Sequence, residues 1–114
     1  MIMNRTILVA LACAGLALAG CAKRPGAIAP AAIPFEAYTG LDCAALAAEL
    51  AREEATLRKL SAAQADAAVG DAFGVFVIGV PIASVAGGDK EGAIAVSKGK
   101  VEAMKAAKLK NGCA

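Results

Sequence analysis

The main helix of this chain is predicted over residues 39–68, which read TGLDCAALAAELAREEATLRKLSAAQADAA. Alanine, leucine, glutamate, arginine and lysine dominate this sequence, and all of them favour helix. Thr39 and Asp42 have the spacing of a capping box, with Tyr38 placed to pack against the first turn. Four leucines recur at helical spacing and form one apolar stripe: Leu46, Leu50, Leu57 and Leu60.

A second helix is predicted from about Asp89, which follows two glycines and is suited to cap a helix. Asn111 and Gly112 favour a left-handed helix stop at its other end. Gly92 and Gly99 either weaken this helix, by roughly 1 kcal/mol each, or allow a neighbouring helix to approach closely. The apolar stripe of this helix consists of Ile94, Val101 and Met104.

An apolar segment separates the two predicted helices. Residues 72–88 contain no charged side chain, and Pro81 lies near their centre. Three interpretations of this segment are open. In the first, both helices extend into it and meet near Pro81; in the second, it enters a membrane; in the third, it forms a buried β-like element inside an oligomer. We favour the first interpretation, with an exposed tip that contacts a protein partner or a membrane.

The N-terminal residues have the organisation of a secretion signal. Asn4-Arg5-Thr6 supplies a charge, residues 7–18 form an uncharged apolar run, and Leu18-Ala19-Gly20-Cys21 ends it. An aliphatic residue followed by two small residues and a cysteine resembles the processing site of bacterial lipoproteins. The resemblance implies that residues 1–20 are removed and that Cys21 carries the lipid. The apolar run is shorter than the roughly 20 residues that span a bilayer.

The same resemblance implies a location. In bacterial lipoproteins an aspartate directly after the lipidated cysteine commonly retains the protein in the inner membrane. This chain has Ala22 and Lys23 there, so we expect a lipid anchor in the outer membrane, facing the periplasm. The chain as a whole is similar to small helical envelope lipoproteins of proteobacteria.

Residues 21–37 are predicted to be the lipidated N-terminus and a flexible linker. Three prolines block helix formation here and favour extended backbone: Pro25, Pro30 and Pro34. At about 3 Å per residue, such a spacer reaches roughly 40 Å. Residues 38–114 are then expected to form the helical domain, with its glycine-rich apolar tip at about residues 69–88.

Two cysteines remain for pairing once the signal is removed. Cys13 leaves with the signal and Cys21 is lipidated, so Cys43 and Cys113 are left. They lie at the start of the first helix and beyond the end of the second, and those ends meet if the helices are antiparallel. The periplasm is oxidising, so we expect a disulfide. The predicted fold is all-α, an antiparallel two-helix hairpin closed by a disulfide and preceded by a signal helix and an extended Pro/Ala linker.

No residue pattern indicates catalysis or ligand binding. The chain has no histidine and no Cys-x-x-Cys motif, which argues against Ser-His or Cys-His catalysis and against the usual zinc sites. Removal of Arg5 leaves eleven Lys/Arg against ten Asp/Glu, and the few aromatics are scattered, so nucleic acid is not an expected partner. We expect no enzyme, no cofactor, no metal and no small-molecule substrate.

The expected function is that of a non-enzymatic structural or accessory subunit of the cell envelope. The chain would be attached to the membrane through the Cys21 lipid. It would form a homo-oligomer or bind an envelope protein through its apolar tip. The alternative is a membrane-active lipoprotein, in lysis, immunity or envelope remodelling, that inserts residues 72–88 into a bilayer.

Overall fold

The structure, a computed structural model, describes Ile7, residues 21–80, Ser84 and residues 87–114. This part of the chain is helical and contains no β-strand, which confirms the predicted all-α class. The predicted signal peptide, apart from Ile7, and the predicted turn near Pro81 lie outside the described residues.

Two α-helices form the body of the protein: α1 spans Cys43–Ile78 and α2 spans Glu91–Lys110. Two short 3-10 turns, Pro25–Ala27 and Phe35–Ala37, precede α1. Since α1 has 36 residues, it is about 54 Å long at 1.5 Å per residue.

The start of α1 differs in detail from the predicted capping box. Asp42 is itself the N-cap, and its carboxylate accepts a hydrogen bond from the Ala45 N–H at 2.7 Å. The Thr39 hydroxyl instead donates to the carbonyl of Glu36 in the preceding turn. Asp42 therefore satisfies one of the exposed N–H groups of the first helical turn, which Thr39 was expected to do.

The end of α1 lies ten residues beyond its predicted position at Ala68. The helix continues to Ile78 and stops at Gly79, which adopts the left-handed conformation with φ 75°. The interpretation that the helices extend into the apolar segment is therefore right for α1. It is wrong for α2, which begins at Glu91.

The end of α2 agrees with the predicted stop. Asn111 is the C-cap, and Gly112 follows it with φ 67°. The N–H of Cys113 then bonds back to the Lys108 carbonyl at 2.9 Å, the long-range bond typical of a Schellman motif. This reversal turns Cys113 back toward the helices.

α1 and α2 pack along each other, and their contacting residues follow in opposite order. An apolar cluster joins the first part of α1 to the last part of α2: Leu46, Leu50, Val101, Met104 and Ala107. Farther along α1, the Glu53 carboxylate accepts a hydrogen bond from the Ser97 hydroxyl at 2.6 Å. Farther still, the side-chain oxygen of Gln64 accepts from the Lys90 N–H at 2.5 Å.

The N-terminal segment lies against α2, which differs from the predicted flexible linker over residues 21–37. Lys98 Nζ donates to the carbonyl oxygens of Pro25, at 2.6 Å, and Ile28, at 2.7 Å. The Ala31 N–H donates to the Ala95 carbonyl at 2.7 Å. Proline prevents this segment from forming an α-helix, but it leaves the carbonyl groups available to a neighbouring helix.

Gly99 allows this close approach. A Cβ at position 99 would overlap the carbonyl oxygen of Ala31, whereas one at Gly92 would meet no atom within 4 Å. The neighbour admitted by Gly99 is therefore the extended N-terminal segment and not another helix. Of the two glycines in α2, only Gly99 is required by the packing of a neighbouring segment.

Candidate functional site

The residue that follows Cys21 is fixed to the side of α1. Ala22 is buried, and its N–H donates to Asp71 Oδ2 at 2.7 Å. It also packs against Ala67 and Ala68 in a small cluster of alanines. Cys21, which is half-buried, therefore lies beside the last two turns of α1.

Asp71 is the centre of this site. The side chain is fully buried, and its Oδ1 accepts the Ser84 N–H at 2.7 Å. The Ser84 hydroxyl donates to Oδ2, the oxygen that also accepts from Ala22. A buried carboxylate is costly unless several donors surround it. Asp71 thus holds the chain before α1 and the chain after α1 at the same place.

Gln64, two turns earlier on the same face of α1, also bonds to the segments before and after this helix. Its Nε2 donates to the Lys23 carbonyl at 2.8 Å and to Asp89 Oδ1 at 3.0 Å. Its side-chain oxygen accepts from the Lys90 N–H. All three bonds reach segments outside α1, so the fully buried amide joins the N-terminal segment to the start of α2.

The surface next to the site carries basic residues. Lys23 Nζ donates to the Glu91 carboxylate at 2.7 Å. This hydrogen bond and the charge of Glu91 raise the pKa of Lys23 above its ordinary value. Arg24, the next residue, is exposed. The two cations are the second and third residues after Cys21, the predicted lipidation site.

The last turns of α1 carry large apolar side chains that are exposed to solvent. Phe76 is 90% exposed and Phe73 is 67% exposed, Val77 and Ile78 are exposed as well, and so is Val80, two residues beyond the helix. Exposed apolar side chains in such a group usually mark an interaction surface. We refer to residues 21–24 and 64–80 together with Ser84 as the Asp71 end.

The other predicted site, the pair Cys43 and Cys113, lies at the opposite end of α1. The two residues form a disulfide, with their Cα atoms 5.5 Å apart. Asp71 follows Cys43 by 28 residues in one continuous helix, which corresponds to about 42 Å. We refer to the disulfide and the adjoining cluster of Leu46, Leu50, Val101, Met104 and Ala107 as the disulfide end.

Residues 21–80, Ser84 and 87–114 contain neither a metal-binding cluster nor a membrane-spanning helix. No group of three His, Cys, Asp or Glu side chains that would hold a metal ion occurs there. No helix in this part of the chain combines the length and the apolar character needed to cross a bilayer. A surface groove of about 590 Å³ lies between the helices, lined by Glu54, Leu57, Arg58, Ser61, Val101 and Lys105.

Cys21, Cys43 and Cys113 were predicted from the sequence as site residues, whereas Asp71 and Gln64, which hold the segment after Cys21 on α1, were not. One signal was present: Asp71 is the last charged residue before the uncharged stretch that reaches Gly88. A lone carboxylate within apolar sequence in a helix requires a partner. Comparison of this chain with protein-family models, with curated proteins and with solved structures finds no match.

Proposed function

We propose that this chain is a bacterial lipoprotein, cleaved before Cys21 and held by its lipid on the outer membrane, facing the periplasm. Its mature part is a disulfide-closed, antiparallel helical hairpin without enzymatic activity. It serves as a structural or accessory subunit of the envelope, as a homo-oligomer or with a protein partner. The observation that carries the proposal is the sequence Leu18-Ala19-Gly20-Cys21 at the end of an apolar run.

Two features of the structure support this proposal. The Cys43–Cys113 disulfide is of the kind that persists in an oxidising compartment such as the periplasm. The described fold also begins to pack at the residue after the proposed lipidation site, since Ala22 is buried on α1. A lipid on Cys21 would therefore be attached to an ordered part of the protein.

Palmitate labelling in a bacterial host tests the anchor. The full chain is expected to incorporate labelled palmitate and to lose residues 1–20. Cys21→Ala should abolish both, since the thiol that accepts the lipid is missing. Cys13→Ala is the matched control, because Cys13 lies within the apolar run, and it should behave like the unchanged chain. Normal labelling of the Cys21→Ala variant would contradict the proposal.

A second candidate function is a membrane-active lipoprotein that disrupts or remodels bilayers. The exposed phenylalanines at the end of α1 favour it, because such side chains partition into lipid. Dye release from vesicles separates the two functions. A structural subunit leaves the vesicles intact, whereas a lytic protein releases the dye, and Phe76→Asp should reduce that release.

A further inference from the structure

The lipid-bearing cysteine and the exposed apolar side chains lie at the same end of the molecule. Ala22 is bonded to Asp71, and Phe73 and Phe76 follow Asp71 by two and five residues on α1. At 1.5 Å per residue, these positions lie within about 8 Å of Asp71 along the helix axis. The predicted spacer of roughly 40 Å does not separate the lipid from this apolar surface, because the segment is folded back onto the helices.

The depth of the apolar end fits half a bilayer. From Asp71 to the end of α1 at Ile78 there are seven residues, or about 10 Å of helix. The hydrocarbon of one leaflet is about 15 Å deep. The end of α1 is thus long enough to enter one leaflet, and it is too short to cross the membrane.

The distribution of charge agrees with contact at this end. No charged residue occurs from 72 to 88, and the Asp71 carboxylate is fully buried under its hydrogen bonds. The exposed Arg24 lies three residues after Cys21, where anionic headgroups would attract it, while Lys23 is paired with Glu91.

We propose that the exposed end of α1, from Phe73 to Val80, is a membrane-binding surface that enters the same leaflet as the acyl chains on Cys21. This inference rests on the proposed lipid anchor. Asp71 is the positioning residue, because it fixes Ala22 beside the apolar surface. The disulfide end then points away from the bilayer. A lipid bilayer is the occupant of this surface because acyl chains that leave Cys21 must enter one at this end.

Tryptophan fluorescence tests this arrangement, because the chain has no tryptophan of its own. The full chain is expressed as Phe76→Trp and, as the matched control, as Leu109→Trp, which lies near the disulfide end and is 83% exposed. Each processed protein is reconstituted into vesicles of phosphatidylethanolamine and phosphatidylglycerol, with and without lipids that carry a doxyl quencher on the acyl chain. Intact mass measured on the same samples reports lipidation.

For lipidated F76W we expect about a two-fold loss of emission with the quencher, because the ring lies among the acyl chains, about 10 Å or less into the leaflet. Lipidated L109W should show no loss. Lipidated F76W with unquenched, blue-shifted emission would show that a second copy or another protein covers this surface, which overturns the inference and leaves the anchor intact. Unquenched, red-shifted emission would show that the tryptophan ring is exposed to water, which would overturn the inference as well. An intact mass without lipid overturns the proposed function and this inference with it.

Discussion

The two ends of the molecule are stabilised in opposite ways. The disulfide end has a covalent bond, and its leucine, valine and methionine side chains are buried between α1 and α2. At the Asp71 end the fully buried side chains include the polar ones, Gln64 and Asp71, while Phe73 and Phe76 are exposed. The disulfide end therefore buries its apolar side chains, whereas the Asp71 end exposes its phenylalanines to solvent.

This difference shows which end leaves apolar side chains exposed in the isolated chain. Because Phe73 and Phe76 are exposed, they contribute little to the stability of the isolated chain. The polar bonds at the Asp71 end do not replace an apolar core; they fix the N-terminal segment in position. The disulfide end is thus held by a covalent bond and an apolar core, and the Asp71 end is the part that we propose to interact.

Loss of the disulfide should have the largest effect. In the chain-entropy account, a bond that closes a loop of 70 residues contributes about 4 kcal/mol to the free energy of unfolding. Cys43→Ser combined with Cys113→Ser should lower the urea midpoint by a corresponding amount, as measured by circular dichroism. Reducing agent should have the same effect on the unchanged chain and none on the double variant. An unchanged midpoint would refute the stabilising function of the disulfide.

A matched pair of truncations separates the two ends. Leu46→Ala should cost about 3 kcal/mol, because Leu46 is fully buried in the apolar cluster. Phe76→Ala removes a larger side chain, but it should change the stability of the detergent-free chain by less than about 0.5 kcal/mol because Phe76 is exposed. Equal costs, measured by urea unfolding, would show that the apolar end is buried in solution.

Asp71→Ala should lower stability by about 2 kcal/mol, because the buried N–H groups of Ala22 and Ser84 lose their acceptor. Asp66→Ala is the control on the same helix, since Asp66 is exposed and its loss should cost little. Chemical unfolding measures both. If the two variants are equally stable, Asp71 does not hold the segments together.

The smallest effect should distinguish the two glycines of α2. Gly92→Ala places its methyl group in open space and should stabilise the helix by about 0.5–1 kcal/mol. Gly99→Ala should lose this gain, because the methyl group displaces the Ala31 backbone. Thermal unfolding should therefore show a higher Tm for Gly92→Ala and a lower Tm for Gly99→Ala. Similar increases in both variants would mean that the N-terminal segment is not packed on α2.

The disulfide could be predicted because few cysteines were available to pair, and the end of α2 because a local rule determines it. Cys43 and Cys113 are the two cysteines outside the predicted signal and lipidation site, and Gly112 has the positive φ that its position after Asn111 predicts. The end of α1 was placed too early because the apolar residues after Ala68 are not periodic, and periodicity alone does not define a helix in such a run.

The docking of the N-terminal segment could not be predicted for a different reason. Its bonds join groups that are far apart in sequence: 49 residues separate Ala22 from Asp71, and 73 separate Pro25 from Lys98. Most of the acceptors are backbone carbonyls, which every residue has, so no residue type marks them. Three prolines indicated only that the segment is not helical. Its position depends on the assembled helices.

Amide hydrogen exchange at Ala22, measured by NMR on the lipidated protein in lipid nanodiscs, tests most directly whether the anchor is docked at the apolar end. Because its N–H is buried and bonded to Asp71, we predict that this amide exchanges far more slowly than in a free peptide. Asp71→Ala should bring the exchange close to the free-peptide rate while α1 stays protected. A free-peptide rate at Ala22 in the unchanged protein would contradict the account, because Cys21 would then be on a mobile tether.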